Sequence, residues 1–145
     1  MGAAKNSDLE RATLRRGNNA SAKFRRRGLL PVIERHRHLD ISKFFRGDAA
    51  FASPALYRLL EREGYRYAIR LRANVVVDRN IEHLLTRPVG RPSHKPKVFY
   101  HSLEYQAKSW QRGRRVVVKI EWHAGELFPR VGFIVTNLNE PSRSV

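Results

Sequence analysis

The most regular stretch of the chain runs from Ser53 to Arg72, where the spacing of apolar positions changes from helical to alternating. Leu56, Leu59 and Leu60 recur on one face at helical spacing, with Arg58 and Arg62 off that face. Ser53 offers a capping hydroxyl, and Pro54 at the first helical position has no amide to lose. Gly64 is placed to end the helix left-handed, so the pattern predicts a helix from Ser53 to Glu63. Tyr65, Tyr67, Ile69 and Leu71 then alternate with Arg66, Ala68, Arg70 and Arg72, the period of a strand with one apolar face. Upstream, Phe44 to Phe51 reads as a brief buried strand whose aromatic run stops at Gly47-Asp48, which leaves Asp48 at a strand's end. Strand, helix and strand in that order imply a parallel, right-handed pair.

Outside this unit the signals are shorter. Leu9 to Leu14 suggests a strand ending in the Gly17-Asn18-Asn19 turn. A helix is expected from about 20 to 38, with Ser21 as cap and a break or kink near Pro31. A short helix is expected from Asn80 to Thr86, followed by a basic, exposed loop from Arg87 to Lys97 that its prolines and glycine keep irregular. Val98 to Trp110 and Arg115 to His123 have the period of antiparallel strands joined through Gln111-Arg112-Gly113-Arg114, and Phe128 to Leu138 that of a third.

Charge changes the picture more than hydropathy does. The chain has 145 residues, of which 41% are hydrophobic and 10% aromatic, enough for a modest core. Against 13 Asp plus Glu stand 29 Lys plus Arg, for a formal charge of +16. Self-repulsion of that size favours a polyanionic partner, and the bias towards Arg favours planar, bidentate contacts with phosphate. Nucleic acid is the first expectation. No apolar stretch approaches the roughly 20 residues of a membrane span, and no signal peptide opens the chain, so a cytoplasmic protein without a membrane partner is expected. With no cysteine there is neither a disulfide nor a thiolate metal site.

The candidate chemistry is an acid beside bases. Ligands of doubly wound sheets gather beyond the carboxyl ends of the parallel strands, where Asp48 and the cluster Arg70, Arg72 and Asn74 should both lie. Asp48 read alone is either an acid with a purpose or a turn residue near the amides that follow it. Arg70 and Arg72 either reach DNA phosphates or stand as solvated edge charges. Arg91, Lys95 and Lys97 on the loop, and Arg112, Arg114 and Arg115 at the hairpin turn, form two more basic clusters with a claim on DNA. Trp110 and Trp122 fit strand packing, and the six histidines show no zinc spacing.

The stretches Phe44-Phe45-Arg46-Gly47-Asp48-Ala49-Ala50-Phe51-Ala52-Ser53-Pro54 and Tyr65-Arg66-Tyr67-Ala68-Ile69-Arg70-Leu71-Arg72-Ala73-Asn74, with Leu29-Leu30-Pro31-Val32-Ile33-Glu34-Arg35, resemble DDE transposases of bacterial insertion sequences. The resemblance extends from about Asp8 to near the C-terminus. It implies an α/β fold: a partial ribonuclease-H-like core over 8–74, strand-helix-strand-helix-strand, an inserted antiparallel β subdomain over 75–138 and a tail over 139–145. It also implies metal-dependent cleavage and transfer of DNA strands, with two Mg2+ or Mn2+ ions held by three carboxylates and a possible homodimer in the complete enzyme. Asp48 would be the second acid, catalytic and metal-binding. The family's first and third acids belong to segments expected before Met1 and after Val145, so this chain is expected to bind DNA without cutting it. The competing expectation is a non-catalytic, basic nucleic-acid-binding module of ribosomal-protein type.

Overall fold

The structure is a computed structural model that describes residues 21–91 and 93–145, with side chains from Arg27 onward. The strand expected over Leu9–Leu14 and the cap expected of the Ser21 side chain lie outside the described residues. The described residues divide into two units, one ending at Ser42 and the other running from Lys43 to Val145.

In the first unit α1 covers Ser21–His36 and runs unbroken through Pro31. Proline removes one amide from the ladder and crowds the preceding turn, yet the assigned helix continues for a further turn to His36, whose Nδ1 lies 2.9 Å from the Val32 carbonyl oxygen.

In the second unit β1 (Phe44–Gly47), α2 (Pro54–Arg62) and β2 (Arg66–Leu71) form the expected parallel unit, Gly47 pairing with Ile69. Ser53 caps α2, its Oγ accepting from the Leu56 amide at 3.3 Å, and Gly64 leaves the helix at φ 73°. A nine-residue helix is marginal alone. Leu56, Tyr57, Leu59 and Leu60 are buried, each stabilising α2 on the sheet by about 1.5–3 kcal/mol.

β1 is shorter than its apolar run and is not fully buried. Strand geometry ends at Gly47, and Ala49–Phe51 form a single 3-10 turn capped by Asp48. Phe51 thereby folds back edge-on to Phe45, with ring centroids 5.5 Å apart. A Cβ on Gly47 would stand 2.9 Å from the Phe45 ring and 3.1 Å from the Phe51 Cβ, so the reversal needs glycine there. Phe44 remains 61% exposed because β1 is an edge strand that pairs only with β2 among the described residues.

The remaining strands are β3 (Lys97–Tyr105), β4 (Arg114–Trp122) and β5 (Arg130–Thr136): β3 stops well before Trp110, β4 has the expected length one residue earlier, and β5 is shorter at both ends than its alternation suggested. They form an antiparallel meander, and β5 also pairs antiparallel with β2, giving one five-stranded sheet in the order β1-β2-β5-β4-β3. Past the last β2–β5 backbone pair, side chains continue the ladder. The Tyr67 amide donates to Asn137 Oδ1 at 2.8 Å, and Thr136 Oγ1 donates to the Tyr67 carbonyl at 2.6 Å. Between β2 and β3, α3 covers Val75–Ile81 and a 3-10 turn covers Glu82–Leu84. The helix expected at Asn80–Thr86 therefore starts five residues earlier, because the Asn74 Oδ1 accepts from the Val76 and Val77 amides, both at 3.1 Å, and overrides the β-branched run that follows it.

The core lies on the sheet face that α2 covers, where Tyr57 stacks on Tyr67: Tyr67 and Ile69 from β2, Val116, Val118 and Ile120 from β4, Phe133 and Val135 from β5.

Candidate nucleic-acid interface

Strand direction sorts the basic residues of the second unit between two ends of the sheet. The carboxyl end of β2 lies beside the start of β5, Leu71 opposite Phe133. The end of β4 lies beside that same start, Glu121 opposite Arg130, and β3 begins opposite the end of β4, Lys97 opposite Trp122. Asp48, Arg70, Arg72, Lys97 and the loop that enters β3 are thus carried to one end. The turn between β3 and β4, with Arg112 to Arg115, is carried to the other.

At the first end Asp48 is exposed and is the residue directly after β1, where its Oδ1 accepts from the Ala50 amide at 2.9 Å. Two shallow recesses flank it, and Asp48 and Arg70 line both. One, of about 460 Å3, also has Arg46, Ala68 and Ile134 in its wall. The other, of about 410 Å3, adds Arg72 and Phe133. Arg46, Arg70 and Arg72 are exposed, and among the described residues none of them pairs with a carboxylate. One carboxylate and three uncompensated guanidiniums therefore stand where a parallel pair of strands ends, an arrangement suited to a phosphate group.

The family model for the transposase DDE domain, group 1, matches residues 3–145 of this chain. The chain belongs to that transposase family. No protein of curated function and no solved structure matches it. The mixed α/β architecture, a five-stranded sheet with three helices among the described residues, is compatible with the ribonuclease-H-like domain of such enzymes. Among the described residues of the transposase domain, no helix is long and apolar enough to cross a membrane.

Transposases of this class use divalent metal ions, and the described residues do not by themselves fit such a centre. No three His, Asp or Glu side chains among them converge. Asp48 has arginines for neighbours, which oppose the approach of a second cation. Glu61, the acid on the helix after Asp48, is committed at the other end of the sheet. Arg114 donates to it twice, Nε to Oε1 at 2.9 Å and Nη2 to Oε2 at 3.1 Å, while Tyr67 Oη donates at 2.8 Å and Arg112 Nη2 lies 2.8 Å from Oε2. Burial alone would raise the Glu61 carboxyl, but the hydrogen bonds from Arg114, Arg112 and Tyr67 outweigh it and hold the group at about 2.

The basic residues of the hairpin turn, expected as DNA contacts, have protein partners. Arg114 is buried, with its guanidinium over the Tyr57 and Trp110 rings at 5.2 and 5.6 Å. It ties α2 to β4. Arg115 holds the C-terminal segment, donating to the Leu138 carbonyl at 2.8 Å, the Glu140 carbonyl at 2.7 Å and Ser142 Oγ at 3.2 Å. Arg112 is exposed but leans on Glu61. Asn74 has its side-chain oxygen occupied as the cap of α3. Arg70, Arg72, Arg91, Lys95 and Lys97 are the expected contacts that the fold carries to the Asp48 end. Arg46 was missed and is joined to them by pairing: it faces Ala68 across the parallel pair, two residues before Arg70. Arg87 and His123 were also missed, since only the fold brings the loop before β3 beside the end of β4. Both tryptophans pack inside as expected, Trp110 edge-on to Tyr57 and Tyr105.

Proposed function

We propose that this chain is the part of a transposase catalytic domain that lays duplex DNA along the Asp48 end of its sheet, for cleavage and transfer of strands by the complete enzyme. The observation that carries the proposal is that Asp48 and Arg70 line two adjoining recesses at the carboxyl ends of β1 and β2, with Arg46 in one and Arg72 in the other. In this reading β1, α2 and β2 are part of the ribonuclease-H-like core, and β3 to β5 are its inserted β subdomain, joined edge to edge through β2 and β5. Asp48 is the second acid of the family's triad. Arg46, Arg70 and Arg72 seize backbone phosphates and orient the duplex so that a phosphodiester lies against that carboxylate, and they offset the charge that gathers there. The described residues supply this one acid and its cations, so the isolated chain binds DNA without cutting it.

The test is duplex binding measured against salt concentration, for the wild type and for an Arg70→Gln/Arg72→Gln variant. Each phosphate contact contributes about 0.9 to the slope of log affinity on log salt. The double variant is expected to lose between one and two units of slope and at least tenfold in affinity at low salt. Equal binding by the two proteins would remove the arginines from the interface, and absence of wild-type binding would overturn the proposal.

A further inference from the structure

Arg87, Arg91, Lys95 and Lys97 surround a separate recess of about 230 Å3 that also has Trp122 and His123 in its wall. It lies at the same end of the sheet as Asp48 but at the opposite edge, where β3 begins and β4 ends. Three features make it a built site rather than a run of solvated charge. The Arg87 guanidinium lies over the buried Trp122 ring, 5.8 Å from its centroid, which fixes one cation in place. Lys97 is held by strand pairing opposite Trp122, and its Nζ packs so closely on Gly90 that a Cβ there would stand 3.1 Å away. His123 Nε2 is buried without a hydrogen-bond partner, with Glu121 Oε2 4.0 Å off and Glu121 itself held by Lys119 at 2.6 Å.

Among the described residues none of the four cations pairs with a carboxylate. Like charges confined together repel, and an anion between them relieves that repulsion. The recess is smaller than the roughly 300–1,000 Å3 of sites that enclose drug-sized ligands, so it suits a single phosphate group and not a whole nucleotide.

We propose that this recess is a phosphate-binding site that takes one backbone phosphate of the same duplex that passes Asp48, and in this it rests on the DNA-binding reading above. Four inter-strand steps of about 4.8 Å separate β1 from β3, and the register sets Gly47 level with Leu103, so Asp48 lies about five residues along the strands from Lys97 and the two sites stand roughly 25 Å apart. At about 3.4 Å per base pair that distance is about seven base pairs of duplex. The Asp48 recesses and the Trp122 recess thus form two anchors of one DNA track, and the second sets the direction in which the duplex leaves the first.

The experiment compares the wild type with Arg91→Gln/Lys95→Gln, which removes two exposed cations of the recess, and with Arg58→Gln/Lys108→Gln, which removes two exposed cations elsewhere. Duplex affinity is measured against salt, and melting temperature against inorganic phosphate. The recess variant should lose about one unit of salt slope, one phosphate contact, with about tenfold in affinity at low salt, and should lose the melting shift that phosphate gives the wild type. The control variant should keep both. If the two variants lose affinity equally while the wild type binds DNA, DNA binding stands and the site is overturned. If the wild type fails to bind duplex yet shows a phosphate shift that only the recess variant loses, the anion site stands and the duplex as its occupant is overturned.

Discussion

Arg114 closes on Glu61 through two parallel contacts of 2.9 and 3.1 Å that tie the last turn of α2 to the first residue of β4. The Arg114 side chain is 4% exposed and that of Glu61 17%, so removing Arg114 leaves a poorly solvated carboxylate with Arg112 and Tyr67 as its remaining partners. Arg114→Ala is expected to cost about 3 kcal/mol of folding stability, the low end for a broken buried pair, read as a loss of melting temperature, with no specific loss of DNA affinity in what remains folded. A variant that melts like the wild type but binds DNA weakly would place Arg114 at the interface instead.

The same pair sets an acid limit on the fold. The Glu61 carboxyl is held at about 2, below its ordinary 4.5. A depressed folded value means that the unfolded chain takes up the proton first, so the stabilisation is complete above about pH 4.5 and drains away as pH falls towards 2. Urea midpoints measured from pH 6 down to pH 2.5 should therefore fall, and Glu61→Gln should start lower and fall less steeply over that range. Parallel profiles for the two proteins would show that the pair does not control acid stability.

Asn74 separates a structural from a DNA-binding role in one substitution. Its Oδ1 satisfies two amides at the start of α3, and loss of such a cap costs about 1 kcal/mol. Asn74→Ala should lower the melting temperature by a few degrees and leave duplex affinity within twofold of the wild type. Reduced affinity at unchanged stability would give the side chain to DNA.

The helical and alternating patterns from Ser53 to Arg72 made α2 and β2 legible, because one helix face and one strand face are buried and little else acts on them. The ending of β1 was hidden: Phe51 looks like a continuation of the Phe44-Phe45 run, and only its packing on Phe45 around Gly47 turns it back. The start of α3 was hidden by Val75-Val76-Val77, a strand-like run that the Asn74 cap outweighs. For the site, Asp48 and Arg70 could be placed together by the rule for parallel strands. Arg114 and Arg115 could not be told apart from solvated cations, since their partners Glu61 and Glu140 lie 53 and 25 positions away. The recess around Trp122 depends on the pairing of β3 with β4, which composition does not reveal.

The central claim is that DNA lies at the Asp48 end of the sheet. The chain has no cysteine, so Asp48→Cys and Lys108→Cys each give one attachment point for an iron chelate, the first at that end and the second in the turn at the other. With bound end-labelled duplex and a pulse of hydroxyl radicals, the account predicts strand breaks from the chelate at position 48 and none above background from position 108. Equal cutting from both positions, or stronger cutting from position 108, would contradict it.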